Sequence, residues 1–255
     1  MTDVRSDAPI PEALASAILT AQVPVMLTGI RLGEQEPMEL SRRGEWSQRA
    51  SLEAFLTDPA RFWEYFYPRG LEIAARTPNA GHLAIARLQQ AGLLAHLITQ
   101  SSDRLHQKAG SSDVVEVYGN LTVARCDRCG ERYGLPEIGS LIAASPDGVP
   151  RCTIAECGYP LRPAGTLWAE PLPPAAVSRA WEIAAQADLF IVLDSPLRTA
   201  PISLLPSVPL TRRRPLVMIG SVPTQYDRYA AVVSREPTIE VLTALVDLVC
   251  PAPRP

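Results

Sequence analysis

Residues Ile98 to Cys129 read ITQSSDRLHQKAGSSDVVEVYGNLTVARCDRC, and this stretch decides the fold. It opens on the end of one short apolar run, Leu93 to Thr99, crosses a polar loop to a second, Val114 to Val117, and closes on the pair Cys126 and Cys129. Apolar runs of about 4–8 residues between polar loops are the pattern of strands buried on both faces, as in a parallel sheet. A close cysteine pair in a chain with no export signal is better suited to clip a metal than to form a disulfide.

Working outward, similar runs occur at Val23 to Leu27, Asp188 to Leu193 and Pro215 to Ile219. Helical patterns precede most of them. Pro11 opens one to about Gln22, with Leu14, Ile18 and Leu19 at helical spacing. His82 to Ala91 carries Leu83, Ala86 and Leu88, and Ala175 to Ala187 carries Val177, Ala180, Trp181 and Ala184. Glu236 to Cys250 reads as a closing amphipathic helix, with Cys250 a small core residue. The alternation predicts an α/β fold, a doubly wound Rossmann-like parallel sheet.

Two stretches break the alternation: Gly33 to Pro78, helical in pattern from about Leu52, and the cysteine segment Leu121 to Pro163. Together they predict a smaller zinc-binding and helical domain inserted beside the sheet. The expected division is 10–32, 80–119 and 164–255 for the large domain, and 33–79 and 120–163 for the small one. Trp46, Phe55, Phe62, Trp63, Tyr65, Phe66 and Tyr67 read as helix-face core rather than as a ligand wall.

The bulk properties exclude several classes. Net charge is −3 with 20% charged residues, so no basic field marks nucleic-acid binding. Arg42-Arg43 and Arg212-Arg213-Arg214 read as solvated loop charges. The polar start MTDVRSDAPI lacks the order of a signal peptide, and no apolar run reaches the roughly 18 residues of a membrane span. The expectation is a cytoplasmic protein that binds neither nucleic acid nor membrane. A protein partner, a second copy of the chain, or a small molecule in the interdomain cleft stay open as its partners.

Cys126-x2-Cys129 is followed after 22 residues by Cys152-x4-Cys157. Two close pairs, each followed by a glycine, Gly130 and Gly158, can each clip one edge of a tetrahedral zinc. Four thiolates leave no open position, so the expected zinc is structural.

Thr99 to Asp103, Leu105-His106, Ala109-Gly110, Tyr118-Gly119-Asn120 and the cysteine quartet resemble the central signature of the sirtuins, NAD-dependent protein deacylases. Pro78 to His82, Leu161-Arg162-Pro163 and Trp168 to Pro173 extend the resemblance over most of the chain. It implies remnant cofactor positions at Thr28, Gly29, Arg31, Gln100, Ser101, Asp103, Asp194, Ser195 and Gly220, and a substrate groove at Leu167, Trp168 and Ala169. Tyr118 stands where the family has its catalytic His, and Ser101 where it has Asn. Arg31 replaces a small residue of the phosphate turn, Pro37 to Leu40 replace Pro-Asp-Phe-Arg, Asp194-Ser195-Pro196 replaces Gly-Thr-Ser, and Gly220 replaces Asn. A phenol with an ordinary pKa near 10 is a poor general base at neutral pH. The three histidines, His82, His96 and His106, sit elsewhere, and His106 reads as a structural hydrogen-bonder. These departures lead to three expectations: NAD binding is doubtful, the active site is degenerate, and the chain acts as a binding or scaffold subunit without conventional deacylase activity. The alternatives are a diverged enzyme using the cleft for another ligand, with Tyr118 and Asp103 as acid and base, and an ordinary deacylase.

Overall fold

The computed structural model describes residues 9–33 and 40–251. Six strands form one parallel sheet in the order β3-β2-β1-β7-β8-β9. They are β1 Pro24–Thr28, β2 His96–Thr99, β3 Val114–Glu116, β7 Leu189–Leu193, β8 Leu216–Ile219 and β9 Val232–Ser234. Chain order runs outward from β1 on one side and from β7 on the other, so strand direction of travel reverses between them. That is the switch point at which open α/β sheets form a crevice beyond the strands' carboxyl ends. β1 and β7 are buried along their whole length, which is why both read as unbroken apolar runs.

Helices cover both faces. α1 (Ile10–Thr20), α5 (Ala80–Gln90) and α10 (Thr238–Val249) pack Leu14, Ile18, Ile85, Leu88, Leu242 and Leu245 against Met26, Leu97 and Ile191. On the other face α8 (Pro174–Gln186) sets Ala180, Ile183 and Ala184 on Val25, Leu27, Ile98 and Phe190. Leu19 and Leu83 depart from their expected faces, being 58% and 50% exposed. Leu19 is next to the fully covered Ile18, and one residue turns a helix by about 100°, enough to carry a side chain off the stripe. Short helices α6 (Leu105–Lys108) and α9 (Ser207–Thr211) lie in the connections.

The second layer is built on an antiparallel sheet, β5-β4-β6, from β4 Gly119–Cys126, β5 Arg132–Gly134 and β6 Leu161–Gly165. Helices α2 (Leu40–Arg49), α3 (Leu52–Thr57), α4 (Pro59–Ala75) and α7 (Leu135–Ala144) accompany it. Ser51 and Asp58 cap α3 and α4, and Pro59 sits in the first turn of α4, where a missing N–H is harmless. Phe62, Trp63, Tyr65 and Phe66 of α4 meet Ala124, Tyr133, Ile138 and Leu161 in one core. Phe62 stacks on Phe66 at 5.3 Å between ring centroids, and the Trp63 indole N–H donates to the Leu161 carbonyl at 3.1 Å. The aromatic stretch is therefore core, as its spacing predicts. No helix among the described residues is long and apolar enough to cross a membrane.

Candidate functional site

The carboxyl ends of the central strands carry a linked set of polar groups. Gly29 N–H donates to the Leu193 carbonyl at 2.8 Å, Gln100 N–H to Thr28 at 2.9 Å, and Asp194 N–H to Ile219 at 2.8 Å. Each strand thus hands its neighbour one further hydrogen bond as it ends, and the loops that follow are held side by side. A Cβ at Gly29 would overlap the Asp194 carbonyl, so the loop after β1 approaches β7 more closely than a side chain allows. Asp194 itself takes a left-handed φ of 49°, which Asp tolerates better than most residues.

Beneath these loops the Thr28 hydroxyl donates to Thr99 Oγ1 at 2.8 Å, and His106 Nε2 lies 3.0 Å from Thr28 Oγ1. Ser101 N–H donates to Thr99 Oγ1 at 3.0 Å. Burial, and then the neighbouring His82 ring at 4.8 Å, push His106 down to about 3, so both imidazoles are neutral structural groups. Burial also lowers His82, which caps α5 together with Asn79. His96 begins β2, at the end opposite Thr99, and burial and then Arg179 lower its pKa. Asp103 Oδ1 accepts from Leu105 N–H at 3.0 Å, which makes the carboxylate the turn group before α6.

Gln100 joins the two halves of the site. Its Oε1 accepts from Ser195 Oγ at 2.5 Å, across the switch point. The polar side chains of Gln100 and Thr199 neighbour the Tyr118 phenol and favour its ionised form. Burial pushes the Tyr118 phenol up, and Gln100 and Thr199 offset only part of that rise. Beyond Ser195 the ends of β7 and β8 enclose a hollow lined by Asp194, Ser195, Gly220, Ser221, Thr224 and Arg235. Arg235 pairs with Asp227 and also donates to the Gly220 carbonyl at 2.8 Å. Arg31 lies in the 3-10 turn Ile30–Gly33, and Pro37 to Glu39 lie outside the described residues.

On the other side of Tyr118 runs the segment Leu167-Trp168-Ala169. Trp168 bridges in parallel to Ser51 and is 61% exposed, while Leu167 is buried. Ala169 has a left-handed φ of 65°. Glu170 fixes this bend: Arg162 Nη1 and Nη2 donate to its two oxygens at 2.7 and 2.5 Å, and Leu167 N–H donates at 2.9 Å. Sequence reasoning noted both residues in motifs but gave neither a role. An Arg and a Glu set among otherwise apolar or proline-rich residues were the available signal.

Cys126, Cys129, Cys152 and Cys157 come together at the tip of β4, their Sγ atoms all within 4.8 Å of one another. Cys126 and Cys157 are 3.6 Å apart, and Cys129 and Cys152 3.5 Å. A tetrahedron of Zn–S bonds of about 2.3 Å places sulfurs about 3.8 Å apart, so the donor set fits that ion. Gly130 and Gly158 supply positive φ of 82° and 57° immediately after each pair.

A parallel sheet with a crevice at its switch point, joined to a four-cysteine cluster that could hold a metal, defines the doubly wound α/β class that takes ligands at such crevices. The profile of the Sir2 family matches residues 40–201. The chain is 33% identical over 242 residues to NAD-dependent protein deacetylase 1 of Pyrobaculum aerophilum, covering 92% of this chain and 93% of that one. It is 38% identical over 184 residues to an NAD-dependent protein deacetylase of Caldivirga maquilingensis, covering 72% and 70%. Among solved structures, a Sir2 His-to-Tyr mutant with peptide and NAD superposes with a TM-score of 0.80 at 27% identity, covering 94% of this chain and 98% of that one. The chain belongs to the Sir2 family, the sirtuins.

These relatives overturn the expectation of a scaffold subunit lacking deacylase chemistry, because chains alike over nine-tenths of their length are NAD-dependent deacetylases. They also remove the ground for doubting NAD. In this chain the residues counted as departures at Asp194 and Ser195 are themselves built into the cleft, through the strand-end ladder at Gly29, Gln100 and Asp194 and the Gln100 to Ser195 bond.

Proposed function

We propose that the protein is an NAD-dependent protein-lysine deacylase that handles its proton through Tyr118. The observation that carries this reading is the Gln100 to Ser195 bond across the switch point, with the Tyr118 phenol beside the same Gln100. Thr28, Gly29, Arg31, Gln100, Ser101, Asp103, Asp194, Ser195 and Gly220 would surround NAD, some through backbone and some, such as Asp103, by shaping the loop. Hydroxyl, amide and backbone donors at parallel strand ends suit a dinucleotide's ribose and phosphate oxygens. When bound, NAD supplies the ribose carbon that takes up the acyl oxygen.

The chain's own residues do the rest. Leu167, Trp168 and Ala169 form the wall along which an acyl-lysine peptide lies, and the Arg162 to Glu170 fork holds that wall in place. Tyr118 Oη keeps its proton near neutral pH and becomes a proton acceptor only as pH rises toward the raised phenol pKa. Cys126, Cys129, Cys152 and Cys157 hold a structural zinc. The large domain comprises 10–32, 80–119 and 164–255, and the small one 33–79 and 120–163.

The deciding experiment incubates the protein with an acetyl-lysine peptide, with and without NAD, at pH 7 and pH 9, and follows peptide mass. NAD-dependent loss of the acetyl group, faster at pH 9, is expected. Peptide unchanged at both pH values would overturn the reading.

A further inference from the structure

We propose that Tyr133 is a positioning residue for the metal centre, donating its phenolic proton to the Cys152 thiolate and so fixing that sulfur toward the metal. The proposal rests on the zinc reading above.

Tyr133 lies on β5, opposite Ala124 of β4, and is buried in the aromatic core to 4% exposure. Its hydroxyl reaches out of that core to Cys152 Sγ, 3.1 Å away. The direction of the bond follows from its neighbours. Thr153 N–H, which can only donate, points at Tyr133 Oη from 2.9 Å and occupies one of its lone pairs. A metal-bound cysteine is a thiolate and carries no proton. The phenolic proton is then the one proton available between Oη and Sγ, and it points at sulfur. The Thr153 hydroxyl, 3.3 Å from Oη, competes only weakly at that distance. Because Thr153 follows Cys152 directly, the phenol grips the ligand from both its sulfur and the next backbone amide.

Among the described residues, Tyr133 is the one side chain outside the four cysteines that hydrogen-bonds to a sulfur of the cluster. The cluster is therefore asymmetric. Cys152 meets the Tyr133 hydroxyl as well as a fellow thiol, whereas among the described side chains the sulfur of the exposed Cys129 meets only fellow thiols. A donor to a thiolate draws charge from it, so the sulfur is less readily protonated or attacked by an electrophile. Removing such an outer partner typically weakens metal binding by about 10–100-fold. The core end of the module, where β5 and α4 meet, is thus tied to the metal through one phenol.

The test uses the full chain, its Tyr133→Phe variant and its Ile138→Val variant. Ile138 is fully buried in the same core and its hydrocarbon side chain can give no hydrogen bond to a cluster sulfur, so I138V reports on loosened packing alone. Metal content is measured first: a wild-type chain that purifies without zinc and takes up no cobalt would overturn the zinc reading itself. With metal present, Y133F is expected to release zinc to a chelator about 10–100-fold faster than wild type. Its cobalt form should show a thiolate-to-metal absorption band shifted to lower energy. I138V should leave the band in place. A Y133F protein with the wild-type band and the release rate of I138V would overturn the role of Tyr133. Should Y133F fail to fold, the wild-type chain still decides. Under slow chelation with iodoacetamide, Cys152 is expected to alkylate more slowly than the comparably buried Cys126, and equal rates would overturn the proposal.

Discussion

Arg162 grips Glu170 as a two-pronged fork, at 2.7 and 2.5 Å, and in doing so ties a strand of the cysteine module to the loop that carries Trp168. Burial pushes the Glu170 carboxyl up, but hydrogen bonds from Arg162 and from Leu167 N–H outweigh it and hold the group below the usual carboxylate range. With the folded pKa depressed, the pair's contribution is complete above the unfolded value of 4.5 and fades as pH falls through the folded one. Glu170→Gln, which keeps the shape and removes the charge, is expected to lower stability by about 2 kcal/mol at pH 7, less than a fully buried pair would lose. The difference in urea midpoint between variant and wild type should shrink below pH 4.5. A difference independent of pH would show that the charge on Glu170 contributes nothing.

The proposed role of Tyr118 predicts the pH profile of activity. Since burial raises the phenol, the fraction able to accept a proton grows tenfold per pH unit below its pKa, and deacylation of an acetyl-lysine peptide should climb steadily between pH 7 and pH 9. Tyr118→Phe should abolish that rise. Tyr118→His, which installs a base titrating near neutrality, should increase the rate at pH 7.5 by about 100-fold and give a profile that levels off below pH 8. Equal rates for wild type and Y118F across this range would remove Tyr118 from proton handling.

What the sequence discloses and what it hides follow from how local each signal is. β1 and β7 are visible because both faces are covered and every residue but the terminal Thr28 is apolar. The cysteine quartet is visible because each pair is close in sequence and followed by glycine. β4 to β6 are not, because β6 contains Arg162 and Pro163, and β4 alternates irregularly past a register shift between Asn120 and Ala124. β9 has only three residues, too few to show a period. Gly29 read as a phosphate turn, whereas its immediate reason is contact with the backbone of Asp194, a partner 165 positions away that no local pattern can supply. The substitutions at Ser101 and Tyr118 were legible, but their consequence was overstated, because the buried bonds that shape the cleft run through Thr28, Thr99, Gln100 and Ser195.

That contact makes Gly29 a sensitive position. Gly29→Ala would drive a methyl into the Asp194 carbonyl and force the loops after β1 and β7 apart at the switch point. A loss of about 3 kcal/mol in stability is expected, at the upper end for overpacking. NAD affinity by calorimetric titration should fall at least tenfold, since the loops that would surround the cofactor move with the strands. Unchanged affinity in a stably folded G29A protein would place the cofactor away from this turn.

His106 predicts the acid limit of the fold. Its ring is 2% exposed, its Nδ1 has no hydrogen-bond partner, and its pKa is pushed down to about 3 by burial and then by the adjacent His82. In the unfolded chain the same imidazole protonates at its ordinary value of 6.5. Between pH 6.5 and pH 3 the unfolded state therefore binds a proton that the folded state refuses, and stability must fall as pH falls through that window. Replacing His106 by Gln removes the titrating group while leaving an amide to meet Thr28 Oγ1. H106Q is expected to be less stable than wild type at pH 7.5, by about 1 kcal/mol for the imperfect hydrogen bond, yet to lose less between pH 7.5 and pH 4.5. Urea midpoints of both proteins at the two pH values check this. Parallel declines would show that the imidazole is protonated equally in both states, and hence that Thr28 and His106 are not sealed from solvent as the structure has them.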